Sequence, residues 1–131
     1  MQRIANPPGI HPPFGNYAHG IGIEARSRLV MTSGQLGISK NGAIPQDCEA
    51  QAELCFDAIE AILAGAGLEL DHLVHLRAYV TAREHFPAYM AVRDRRLGGR
   101  EIASTLLVVG GFTRPEFLVE IEALAAAPAD A

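Results

Sequence analysis

The chain reads as an α+β domain in which one mixed β-sheet carries two helices on a single face. Three stretches point to it. Leu73 to Thr81 alternates strictly, with Val74, Leu76, Ala78 and Val80 on one side and His75, Arg77, Tyr79 and Thr81 on the other, the period of a strand with one buried face. Asp47 stands where a helix cap belongs, before a run that closes at Gly65-Ala66-Gly67; in that run Leu54, Cys55, Ala58, Ile59 and Ile62 share a face, with Gln51, Glu53, Asp57 and Glu60 opposite. Glu84 to Leu97 repeats Phe86, Tyr89 or Met90, Arg93 and Leu97 at helical spacing, and Pro87 is tolerable there only in the first turn.

The remaining elements follow in order. Asn6 to Gly15 is too rich in proline to hold a helix, because each proline lacks a donor and restricts its neighbour; it reads as an extended arm. Ala18 to Glu24 and Arg28 to Gln35 read as two strands of a hairpin turning at Ala25-Arg26-Ser27, and Asn41-Gly42 is a turn dipeptide. Ile102 to Val109 and Phe117 to Ala125 are apolar strands separated by Gly110-Gly111 and Arg114-Pro115. The order β-β-α-β-α-β-β predicts one domain over residues 1–126, with 127–131 as a flexible tail.

Composition sets the function classes. A length of 131 residues fits one domain, since domains cluster near about 100 to 150 residues, and 49% hydrophobic with 20% charged residues is globular usage. A formal charge of -4 argues against nucleic acid as partner. No apolar run is long enough to span a bilayer, and Met1 to Pro13 lacks the pattern of a secretory signal, so a cytoplasmic location is expected. Cys48 and Cys55, seven apart in one helix, lie about 10 Å apart along its axis and are expected as free thiols. The five histidines do not converge at metal-ligand spacing, so no metal is expected. Arg93-Asp94-Arg95-Arg96 reads as a solvated run at a helix C-terminus. Two helices cover only one side of a sheet, so the side bearing His75, Arg77, Tyr79, Glu120 and Glu122 is expected either to form a subunit interface or to face solvent.

Several motifs coincide in order and spacing: Gly15-Asn16-Tyr17-Ala18-His19-Gly20, Thr32-Ser33-Gly34-Gln35, Ala50-Gln51, Gly65-Ala66-Gly67-Leu68 and Val119-Glu120-Ile121-Glu122-Ala123. As a set the chain resembles the reactive-intermediate deaminase (Rid, formerly YjgF) superfamily from about Pro13 to Ala126. The resemblance implies a chorismate-mutase-like subunit, a homotrimer with three ligand clefts at subunit boundaries, and, in the deaminase branch, cofactor-free hydrolysis of enamines and imines of 2-oxo acids. It also implies a cleft made of a Tyr, a Ser-Gly backbone, a Glu and a strand Arg that grips the substrate carboxylate. Tyr17, Ser33-Gly34 and Glu120 match three of these; at the fourth the chain reads Ile102-Ala103-Ser104-Thr105, so Ser104 stands where that branch has Arg. A serine hydroxyl does not reproduce the two parallel charge-assisted hydrogen bonds of a guanidinium fork.

The candidate site is therefore Glu120 as the catalytic carboxylate, with Tyr17, Ser33, Gly34, Arg77 and Ser104 as ligand-binding residues for a small-molecule metabolite. Each has a structural alternative. Glu120 could be a strand carboxylate paired across the sheet; Arg77 could pair with Glu120 or Glu122, or take over the missing Arg's role; Tyr17 could lid a cleft or anchor the arm; Ser33-Gly34 could be a bulge. Two functions stay open: an imine or enamine hydrolase with altered substrate, and a non-catalytic ligand-binding or regulatory trimer. An endoribonuclease activity is disfavoured by the acidic balance.

Overall fold

The computed structural model describes residues 1–129. It contains strands β1 (Gln2–Ile4), β2 (Gly20–Gly22), β3 (Arg28–Met31) and β4 (Gln35–Leu36), then helix α1 (Cys48–Gly65), β5 (Leu73–Val80), helix α2 (Phe86–Arg96), β6 (Ala103–Val108) and β7 (Val119–Ala127). The main sheet runs β3-β7-β5-β6, with β4 also paired to β7. β5 and β6 are parallel, joined through α2 as a crossover, and the other pairings are antiparallel. This is the mixed sheet with two helices that the sequence predicts.

α1 begins as expected: the Asp47 side chain accepts from the Ala50 N–H, satisfying one of the donors that a helix start leaves open. It ends at a left-handed Gly67 (φ 76°), where the Gly67 N–H donates to Ala64 and the Leu68 N–H to Leu63, the paired bonds of a Schellman ending. Its buried stripe is rotated from the expected one. Phe56 and Leu63 are fully buried while Ile62 is 36% exposed, and Gln51, expected on the outer face, is completely enclosed. The reason is satisfaction of its polar atoms: the Gln51 amide donates to the Pro45 and Glu116 carbonyls and accepts from the Leu118 N–H. A buried amide with all these bonds made is tolerated where an unpaired one is not.

The hairpin is replaced by a different pairing. β2 pairs with β1 in a small separate sheet, whereas β3 pairs with β7. β7 runs to Ala127, which is buried opposite Arg28, so the strand includes the first residue assigned to the tail; residues 130–131 lie outside the described residues. The expected solvated run after α2's midpoint is also corrected. Arg93 is 4% exposed, and Arg96 reaches across to Glu53 and Asp57 of α1, clasping the two helices. Cys48 and Cys55 are free and buried; burial pushes their thiols up to about 11 and about 12, which keeps them protonated and unreactive.

Candidate functional site

Strand parity decides where each candidate points. On β7, Val119, Ile121, Ala123 and Ala125 are buried beneath the helices, so Glu120 and Glu122 project from the opposite, uncovered face. Opposite them on β5 stand Tyr79 and Arg77 respectively. Glu122 takes both available partners: Tyr79 Oη donates to its Oε1 at 2.6 Å, and Arg77 Nη1 lies 3.8 Å away. That hydrogen bond raises the Tyr79 pKa, since ionising the phenol would cost it its acceptor. His75 is held below its ordinary value by burial and by Arg77, so it is neutral at pH 7.

Glu120 has no hydrogen bond or ion pair among the described residues. Burial, then the neighbouring Glu122 charge, raises its pKa above the ordinary carboxylate value. It rests against a bulge. Between the Met31–Leu124 and Gln35–Ile121 pairs, the Thr32 N–H donates to Ala123 O and the Thr32 hydroxyl accepts from Ala123 N–H; Ser33 and Gly34 then stand opposite the single Glu122. The bulge brings the backbone onto the Glu120 side chain, and a Cβ built on Gly34 falls 2.7 Å from Glu120 Cδ. Only glycine admits this approach. Gly34→Ala is therefore expected to displace the Glu120 carboxylate and lower any activity that uses it, with the fold retained; activity assay beside circular dichroism checks it.

Tyr17 and Ser104 lie elsewhere. Ser104 pairs in register with Leu76, whose side chain is buried under the helices, so Ser104 and Glu120 project to opposite faces of the sheet. The proline-rich arm reaches the start of β6, where the Ala18 N–H donates to Ile102 O, and the Phe14 N–H donates to Tyr17 Oη. Arm, α2 and β6 border a half-open pocket of about 330 Å³, lined by Phe14, Tyr17, Phe86, Met90, Arg93 and Ser104. Arg77 lines a separate groove on the uncovered face with Met31, His75 and Glu122. One chain thus gathers Gly34 with Glu120 and Tyr17 with Ser104, and does not unite the two pairs. Arg93 is a pocket-lining residue that the sequence motifs do not single out. Its place on the apolar stripe with Phe86 and Leu97 was the available signal. Among the described residues no group of three or more His, Cys, Asp or Glu could hold a metal ion, and no helix is long and apolar enough to cross a membrane.

The family model described as Endoribonuclease L-PSP matches residues 10–127. The 2-iminobutanoate/2-iminopropanoate deaminase of Escherichia coli K12 is 33% identical over 82 residues, which are 62% of this chain and 62% of that protein; the chain thus matches less than two thirds of this relative's length. Among solved structures, the Rid-family protein YyfB of Yersinia pestis superposes with a TM-score of 0.81 at 28% identity, covering 95% of this chain and 98% of that one. Rv2704 of Mycobacterium tuberculosis, of the YjgF/YER057c/UK114 family, has a TM-score of 0.69 at 28% identity, covering 86% and 87%. A shared fold, shared motifs and a family match spanning most of the chain lead to one conclusion: this protein is a member of the endoribonuclease L-PSP family, within the reactive-intermediate deaminase (Rid) superfamily.

Proposed function

We propose that this chain is a cofactor-free imine or enamine hydrolase that works as a homotrimer with clefts between subunits. The observation that carries the reading is Glu120: a carboxylate with a raised pKa and no partner, held against the Gly34 backbone on a sheet face that the helices leave open. Imine hydrolysis needs little more than such a group. Glu120 takes a proton from water as its oxygen adds to the C=N carbon and returns it to the nitrogen, giving a carbinolamine; it then carries the hydroxyl proton to the nitrogen as the C–N bond breaks, so that ammonia leaves and the carbonyl forms.

Trimer formation is supported by two features. The uncovered face exposes Met31 (78%) and Leu29 (56%) beside the charged residues, a mixture suited to burial against another copy. In addition, the two pairs of candidate residues project from opposite faces, so a cleft using all of them requires two chains. The same face carries Arg77 against Glu120 and Glu122, a poor surface for RNA, which sets the endoribonuclease reading behind the deaminase one. Ser104 favours a second reading, a ligand-binding trimer without chemistry, because it supplies no cation. The test is 2-iminopropanoate decay followed with and without the protein, with light scattering on the same sample. Accelerated decay by a trimer is expected; a trimer that leaves the decay rate unchanged selects the ligand-binding reading, and a monomer removes the shared cleft.

A further inference from the structure

We infer that Arg93, on helix α2, is the carboxylate-binding residue of this protein, holding the anionic end of a small, apolar-tailed 2-oxo or 2-imino acid in the cavity between the proline-rich arm, α2 and β6. Its guanidinium is almost wholly enclosed, yet only part of it is used. Nε donates to Asp94 Oδ1 at 3.1 Å, and the group lies 5.9 Å from the centroid of the Tyr89 ring, a cation–π distance. Nη1 and Nη2 have no hydrogen-bonded acceptor among the described residues. Neither Nη is among the fully buried polar atoms left without a partner, so this edge of the cation is open to water or to a ligand in the cavity. The free Nη edge is the planar, two-donor face that takes a carboxylate through parallel hydrogen bonds.

A second, independent observation lies on the same cavity. Ser104 Oγ and Tyr89 Oη are both buried and neither makes a well-formed hydrogen bond, although the two hydroxyls lie near enough to interact with each other. A ligand oxygen at the Arg93 edge gives the serine a partner. The other walls are Phe14, Phe86, Met90 and Leu106, which suit an alkyl tail and reject a second charge. The cation that this strand lacks at Ser104 is thereby supplied from the neighbouring helix.

The inference extends the hydrolase reading by naming its substrate class, and it is tested without hydrolysis. Pyruvate, which has no C=N bond, is titrated into the intact protein by calorimetry beside its neutral amide, pyruvamide, while the Arg93 Nε–H resonance is followed by NMR. Pyruvate is expected to bind about 10- to 100-fold more tightly than the amide and to shift that resonance. Arg93→Gln is expected to lose pyruvate binding by a similar factor, and Arg93→Lys to recover part of it. Equal binding of acid and amide by the unaltered protein overturns the inference even should Arg93→Gln fail to fold. So does a folded Arg93→Gln that binds pyruvate normally, or a loss that follows Arg77→Gln instead. Pyruvate binding with no imine hydrolysis removes the catalytic reading and leaves the anion site; imine hydrolysis indifferent to Arg93→Gln removes the site and leaves the catalysis.

Discussion

Replacing Glu120 by Gln is expected to lower imine hydrolysis by about 10²- to 10⁴-fold, the usual contribution of a positioned proton-transfer group, while the assembled protein remains intact. The amide has nearly the shape of the carboxylate, so the fit against Gly34 survives and only the proton chemistry is lost. The pH dependence has a definite sign. Glu120 must be ionised to accept a proton from water, and burial raises its pKa; activity should therefore fall on acidification at a pH above the ordinary carboxylate range. Stability runs the other way. Between the ordinary and the raised value the folded chain holds a proton that the unfolded chain has released, so this group's contribution to stability declines as pH rises through that window. Glu120→Gln removes the liability and should unfold at the same or a slightly higher temperature at pH 7. A pH–rate profile and a melting curve on the same preparation check both. An unchanged hydrolysis rate in the variant would give the proton transfer to another group.

Gln51→Ala should damage the fold as severely as truncating a buried apolar side chain. Its side-chain amide ties α1 to Pro45, Glu116 and the start of β7 by three bonds, and truncation leaves one N–H and two carbonyls to find new partners in an enclosed place. With about 1–3 kcal/mol for each stranded buried group and partial relaxation, a loss of about 3 kcal/mol is expected, which lowers the melting temperature by roughly 10 °C in a domain of this size. Gln51→Glu should be nearly as harmful, because the carboxylate cannot donate to the two carbonyls. Thermal unfolding followed by circular dichroism measures both.

What could be foreseen from the amino-acid order depended on whether the cause lay nearby in the chain. The alternation of Leu73 to Thr81 identified a strand and its two faces because every second side chain reports the same environment. Asp47 and Gly67 marked the ends of α1 because capping acts within a few residues. Adjacency, the only local clue, predicts a hairpin of β3 with β2; the actual partner of β3, β7, lies more than 90 residues away and leaves no mark on the sequence around Arg28. β1 is three residues long, too short to show a period. Gln51 and Arg93 were misplaced for a shared reason: polarity sends a residue to the surface by default, and both are held inside by groups from distant segments. The proximity of Gly34 to Glu120 is of the same kind, set by a bulge that depends on tertiary pairing.

The opposed directions of Ser104 and Glu120 carry an organisational consequence for the proposed trimer. In that trimer no polypeptide would own a reaction chamber; each would lend its anion grip to one neighbour and its proton carrier to the other. A lesion in either half therefore disables a chamber shared with a sound copy, and the two functions can diverge under selection on separate surfaces of the same small fold.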